Sequence, residues 1–160
     1  MDAIVAVYSN WGIGAEGTQP LVLHADRQFF RRMTEGAAII VGRTTLEDFP
    51  GGKPLKGRHN IVMTRQNLEI EGAVVLNSVE AALEEAKRYD KAFVVGGASV
   101  YMQFFAHYHR VYVTQIDSTV DCTAFFPNLD HNADWQCVER GPWQEENGVS
   151  YRFCTYERLS

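Results

Sequence analysis

The sequence is short of cysteine, carries no surplus of basic charge and contains no long apolar run, and each shortage removes a class of protein. Its three cysteines, Cys122, Cys137 and Cys154, are an odd number in no metal-like spacing, which argues against a disulfide framework and predicts reduced thiols. His107 and His109 flank Tyr108 without a second cluster of ligands, so a solvated pair is expected rather than a metal site. Lysine and arginine total 15 against 20 aspartates and glutamates, and the net charge of −5 argues against affinity built on phosphate-backbone contacts. No nucleic acid partner is expected. Residues 2–8 enter an alternating apolar run with no basic segment, long apolar stretch or small-residue cleavage site before it, which predicts a cytoplasmic chain with no membrane partner.

What is present is the composition of an ordinary globular protein, 46% hydrophobic and 22% charged. A chain of 160 residues fits one domain, 1–160, with a core that needs no disulfide or metal to hold it. Short β-branched runs alternate with helical patterns, the signature of an α/β domain with a mostly parallel central sheet. Strands are expected at residues 3–7, 38–41, 60–63, 73–76, 92–95 and 111–116, the first five nearly continuously apolar, as buried strands are. Residues 135–140 and 151–156 flank a Gly/Pro/Asn-containing segment and predict an antiparallel hairpin closing one edge. About four helices fill the gaps, at 26–33, 45–49, 79–89 and 98–105, with Ser78 placed to cap the third. Between the first strand and the first helix lies a long segment containing Gly12, Gly14, Gly17 and Pro20, a length that usually serves as a lid or binding loop.

Several residues can carry chemistry. Asp26 opens the first helix and shares a face with Phe29, Phe30 and Met33. By local pattern alone the plainer reading comes first: an exposed carboxylate facing the positive end of a helix. The sharper reading is a carboxylate in an apolar cleft, its pKa raised by desolvation until it exchanges protons near neutral pH. Two strand-to-helix junctions suit phosphates. In Ile39-Ile40-Val41-Gly42-Arg43-Thr44-Thr45 a basic residue and two hydroxyls follow a glycine at a helix start, and in Val94-Val95-Gly96-Gly97-Ala98-Ser99 two glycines allow close backbone approach. A Gly-Gly at a strand end is more often a plain turn, and its spacing is not the Rossmann dinucleotide fingerprint. Thr64 and Arg65 after the third strand form another phosphate contact or a solvated loop, and Arg58 is either a bidentate clamp for a carboxylate or an exposed strand-end base.

In order and spacing these segments resemble dihydrofolate reductase of the bacterial chromosomal type, from Ile4 to about Tyr156. The pieces that carry the resemblance are Gly12-Ile13-Gly14, Asp26 with Phe30, Gly42-Arg43-Thr44-Thr45, Pro54-Leu55-Lys56-Gly57-Arg58-His59-Asn60, Val95-Gly96-Gly97-Ala98-Ser99-Val100-Tyr101 and Tyr112-Val113-Thr114-Gln115-Ile116. The resemblance implies a three-layer α/β fold and hydride transfer from NADPH to the pterin ring of 7,8-dihydrofolate, giving tetrahydrofolate. Asp26 matches the catalytic carboxylate and Thr114 the hydroxyl that supports it. Val5, Phe30, Phe49, Leu55 and Val95 match the substrate walls, and Arg58 the clamp on the glutamate α-carboxylate. For the cofactor, Ala6 and Ile13 match backbone contacts to the carboxamide. Gly96, Gly97 and Tyr101 line the nicotinamide side, with Ala98, Ser99 and Val100 of the same run on the cofactor. Gly42, Arg43, Thr44 and Thr45 match the pyrophosphate and adenosine side, and Thr64 with Arg65 the segment that selects the 2′-phosphate. The partners so implied are dihydrofolate and antifolate inhibitors, and the family expectation is a monomer.

The pattern departs from the family at three places. Gln19-Pro20-Leu21 stands where relatives have a tryptophan after the proline, which predicts a differently wetted pocket. Arg27 stands beside the catalytic position where many bacterial relatives have an apolar residue, either reaching a glutamate tail or facing solvent, and Thr123 replaces an acid in Asp121-Cys122-Thr123-Ala124. Two alternatives share the fold: a reductase of a ribosylated diaminopyrimidine phosphate, and a folate- or nucleotide-binding protein without catalysis. Asp26 with Phe30, and the Arg58 clamp, suit a pterin with a carboxylate tail better than a sugar phosphate.

Overall fold

A computed structural model describes residues 1–14 and 22–160. The strands are β1 (Asp2–Val7), β2 (Gly12–Gly14), β3 (Ala38–Gly42), β4 (His59–Met63), β5 (Ala73–Leu76), β6 (Ala92–Gly96), β7 (Arg110–Ile116), β8 (Ala124–Phe125), β9 (Trp135–Arg140), β10 (Gln144–Glu146) and β11 (Val149–Arg158). The helices are α1 (His24–Thr34), α2 (Arg43–Glu47), α3 (Val79–Ala86) and α4 (Ala98–Gln103), with three short 3-10 turns between elements. The main sheet runs β10-β11-β7-β1-β6-β3-β4-β5, with β9 also on β11. From β7 to β5 every pairing is parallel, and β11 enters antiparallel to β7.

Cover on both faces follows from the burial pattern. Ile39 and Ile40 are neighbours in β3 and so point to opposite faces, yet neither is exposed. One face packs Ala3, Val5, Ile40 and Val94 with Ala82 and Ala86 of α3 and Val100 and Tyr101 of α4. The other packs Ile4 and Phe93 with Phe29, Phe30 and Met33 of α1. The 3.6-residue period of α1 thus places Asp26 along the edge of its apolar stripe, where the helix meets the sheet.

The elements differ from the sequence expectation chiefly at their ends. Helix α1 begins at His24, so Asp26 lies in its first turn and does not open it. Ser78 caps α3 as expected, accepting from the Ala81 N–H at 3.1 Å. That helix stops at Ala86 because the next amides, on Arg88 and Tyr89, tighten to carbonyls three residues back and turn Tyr89 onto His59, ring centroids 4.4 Å apart. The carboxy-terminal hairpin is a three-strand arrangement, since β9 and β10 divide the outer edge of β11. The small β2–β8 sheet was not expected from the sequence, being three residues against two, too short for an alternating pattern to show. Cys122 and Cys137 are half-buried, Cys154 is buried, and all are free thiols. Among the described residues no helix is long and apolar enough to cross a membrane, and no three His, Cys, Asp or Glu side chains cluster as a metal site.

Candidate active site

Asp26 is partly buried beside β7, where Thr114, 1% exposed, donates its hydroxyl to Asp26 Oδ1 at 2.6 Å. The plainer sequence reading, an exposed helix-terminus carboxylate, therefore gives way to one turned against the sheet. Burial pushes the Asp26 pKa up; the Thr114 hydrogen bond pulls the other way, and the charge of Glu146 adds to the rise. This is the environment in which a carboxyl group takes up and releases protons above its ordinary range.

Asp26 opens onto a cleft of about 1360 Å³. Around it stand Val5, Phe30, Phe49, Leu55 and Val95, apolar walls with Arg58 at one end. Arg58 is held by three groups: Nε donates to Thr34 Oγ1 at 3.2 Å, and the two terminal nitrogens donate to the carbonyls of Lys56 (2.7 Å) and Arg31 (3.4 Å). Burial lowers its pKa, and the nearby charge of Glu35 opposes this. Buried Asn60 shapes the same segment. Its amide closes a ring with the N–H and C=O of Leu55, at 3.0 and 2.9 Å, and donates to the Arg58 carbonyl at 3.0 Å. A β-strand asparagine with 1% exposure thus fixes the turn that presents both Leu55 and Arg58.

The other half of the cleft is built from the carboxyl ends of parallel strands, the usual location of a ligand crevice in such sheets. Gly42 ends β3, Thr64 and Arg65 follow β4, Asn77 follows β5, and Gly96 ends β6. Neither α2 nor α4 has a side-chain cap, so their first-turn amides remain as donors beside Arg43, Thr44, Thr45, Ala98 and Ser99. Gly96 has φ +115°, a backbone that side chains rarely adopt. At Gly97 an added Cβ would stand 3.0 Å from Thr45 Oγ1, so a side chain there would press on the cradle. The Gly96–Gly97 peptide bond is cis. Tyr101, buried beneath this segment, donates its hydroxyl to the Ile4 carbonyl at 2.6 Å. Val100, Ala6 and Ile13 complete this side.

The comparisons with known proteins agree with the geometry. The family model described as dihydrofolate reductase matches residues 1–158. The chain belongs to the dihydrofolate reductase family. Similar curated relatives include the dihydrofolate reductases of Neisseria meningitidis serogroup A, 37% identical over 97% of this chain and 96% of the relative, and of Bacillus subtilis, 34% identical over 97% and 92%. Among solved structures, a dihydrofolate reductase from Enterococcus faecalis complexed with NADP(H) and RAB-propyl is similar with a TM-score of 0.88 and 31% identity, covering 99% of this chain and 96% of that one.

Of the residues expected from the sequence, Thr114 alone does not line the cleft of this family member; it stands behind Asp26. Arg27 lines the cleft together with Arg31, which the sequence reading passed over although the two are one helical turn apart. Gln66 and Asn77 were also missed: Arg43 donates to Gln66 Oε1 at 2.5 Å, and Asn77 donates to the Thr64 carbonyl at 2.7 Å. Their signal was position, since polar residues just beyond parallel strands face the crevice. Thr123 lines the cleft, and its N–H donates to the Gly14 carbonyl at 3.2 Å, continuing the β2–β8 ladder. Leu21, with Gln19 and Pro20, lies outside the described residues.

Proposed function

We propose that Asp26 governs the proton side of the reaction in this chain, an NADPH-dependent dihydrofolate reductase that converts 7,8-dihydrofolate to 5,6,7,8-tetrahydrofolate. The reaction follows from family membership; the residue roles are our reading. The observation that carries it is the Asp26–Thr114 pair at 2.6 Å, at the apolar end of the cleft. Asp48, the other acid lining the cleft among the described residues, is exposed.

Thr114 occupies one side of the carboxylate, leaving its remaining lone pairs for the amino and ring N–H groups of the pterin. A negative charge there favours positive charge on the ring, and hence a proton on the pterin nitrogen beside the carbon to be reduced. The Asp26–pterin pair carries this proton as a coupled unit, so the rate falls as pH rises through the pair's apparent pKa. Bound NADPH supplies the hydride. Phe30, Phe49, Leu55, Val5 and Val95 exclude water from the ring, and Arg58, its fork fixed by Thr34 and Lys56, would clamp the substrate's α-carboxylate.

The cofactor half suits a dinucleotide phosphate on its own chemistry. The uncapped amides of α2 and α4, with Arg43, Thr44, Thr45, Ala98 and Ser99, would hold the pyrophosphate, and Thr64 with Arg65 the 2′-phosphate. Ala6, Ile13, Gly96, Gly97, Val100 and Tyr101 would seat the nicotinamide. Antifolate inhibitors are expected to occupy the substrate half. Residues 1–160 are taken as one domain because β1 pairs with both β6 and β7 inside the sheet that ends in β11.

The test follows NADPH absorbance with dihydrofolate, then with a ribosylated diaminopyrimidine phosphate, for the parent protein and Asp26→Asn. Turnover of dihydrofolate alone, lost in Asp26→Asn at neutral pH, is expected. A full rate in the variant would remove Asp26 from the mechanism.

A further inference from the structure

Helix α1 has a structural need that its own sequence does not meet. Its N-cap residue is Leu23, which has no side-chain acceptor, so the first-turn N–H groups require partners from elsewhere. Glu146, more than a hundred residues away, supplies two of them: its carboxylate accepts from the His24 N–H at 2.6 Å and the Ala25 N–H at 3.0 Å. A tight hairpin delivers the side chain. Glu146 is the last residue of β10, pairs with Val149, and precedes Asn147 and Gly148, whose φ values of 52° and 79° make the tight turn suited to a two-residue hairpin. The next residue after the two amides that Glu146 grips is Asp26.

We propose that Glu146 is a positioning residue for the reaction: it fixes the start of α1 and thereby the place and electrostatic surroundings of Asp26. The proposal rests on the reading of Asp26 given above. A neutral serine or asparagine at position 23 would cap the helix locally; the cap used instead brings a second negative charge close to the working carboxylate. The groups that act on Asp26 are the Thr114 hydroxyl from β7, the buried Tyr101 phenol from α4 and Glu146 from β10, with His24 of α1 beside Glu146; Arg27, Arg31 and Arg58 line the same cleft. Glu146 is the anion among them whose charge favours a proton on Asp26, and the two backbone N–H bonds lower its own pKa, which favours its ionised form.

The experiment measures kcat/KM for dihydrofolate against pH, with thermal melting, in the parent, Glu146→Gln, Glu146→Asp and Asp26→Asn. Glu146→Gln keeps an acceptor oxygen but loses the charge. Its profile is expected to move to lower pH, with activity at pH 7.5 reduced about two- to fivefold, the range of a charge at a helix start. Glu146→Asp keeps the charge on a shorter arm; it should melt lower while its midpoint stays nearer the parent's than that of Glu146→Gln. A Glu146→Gln profile with the parental midpoint would overturn the proposal, as would an equal shift in Glu146→Asp. Should Glu146→Gln not fold, a shift of the Glu146→Asp midpoint to lower pH would overturn it and a parental midpoint would support it. Asp26→Asn separates the two claims: if it retains the parental profile, the reading of Asp26 fails, whereas its loss together with an unmoved Glu146→Gln midpoint defeats only the role of Glu146.

Discussion

Asp26 in the cleft and Glu85 on α3 each have a side-chain partner at hydrogen-bond distance, 2.6 Å to Thr114 and 2.7 Å to His59, yet their pKa values move in opposite directions. At Asp26 burial dominates, and a neutral hydroxyl only partly offsets it. At Glu85 the His59 hydrogen bond dominates, joined by Arg88, whose Nη1 lies 3.2 Å from one carboxylate oxygen. The partner's reach is nearly the same in both; what differs is that desolvation outweighs the hydrogen bond at Asp26, whereas at Glu85 the hydrogen bond leads and the charge of Arg88 adds to it. A carboxylate paired with a cation is fixed in its ionised form and serves the fold. One turned into an apolar cleft against a neutral donor keeps a proton within reach, which is what a reaction adding a proton and a hydride requires.

The strongest test of that contrast is Asp26→Asn. At pH 7 its kcat/KM for dihydrofolate should fall about 10²- to 10³-fold, the scale of losing positioned proton chemistry, while Glu85→Gln stays within about twofold of the parent. The deficit of Asp26→Asn should shrink as pH falls, because the substrate then protonates without help; a constant deficit from pH 5 to pH 8 would count against a role for Asp26 in proton balance.

Thr114→Val sharpens the comparison from the partner's side. Removing a hydroxyl bonded to a charged group should cost about tenfold in rate. Because that bond lowers the Asp26 pKa, the midpoint of the pH profile should move up, opposite to Glu146→Gln. Stopped-flow hydride transfer across pH reads both effects, and a downward shift would mean that Thr114 does not stabilise the ionised form.

The sequence made the strand-end half of the cleft legible and the surroundings of Asp26 much less so. Glycine at 42, 96 and 97, followed by hydroxyl or basic residues at helix starts, reports backbone requirements, and these are local. The pKa of Asp26 depends on Thr114, 88 positions away, and on Glu146, whose carboxylate meets α1 across 121 positions. Nothing in the pattern around Glu146 marked it, since an acidic residue before Asn-Gly at a hairpin tip reads as solvated. Asn60 was visible within its motif, but its task of closing the Leu55–Arg58 turn depends on burial, which a nearly continuous apolar run does not report for its one polar residue. The strands were readable because parallel sheets bury both faces; helix ends were not, because distant side chains and i to i−3 tightening decide them.

The smallest effects concern stability, and there the two carboxylates should respond to pH with opposite sign. Asp26 has a folded pKa above its unfolded value, so its contribution is full below about pH 4 and is lost as pH rises through the folded pKa. Asp26→Asn should therefore melt about 2–4 °C higher than the parent at pH 7.5, a gain that fades in acid. Glu85 has a depressed folded pKa; its stabilisation is present above about pH 4.3 and is lost as pH falls through the folded value. Glu85→Gln should melt about 1–3 °C lower at pH 7.5, and that deficit should close in acid. Melting curves for the two variants from pH 3.5 to 8 would then converge on the parent from opposite sides at low pH. If Asp26→Asn melted lower at pH 7.5, the ionised carboxylate would be stabilised within the cleft and its likeness to Glu85 would outweigh the difference.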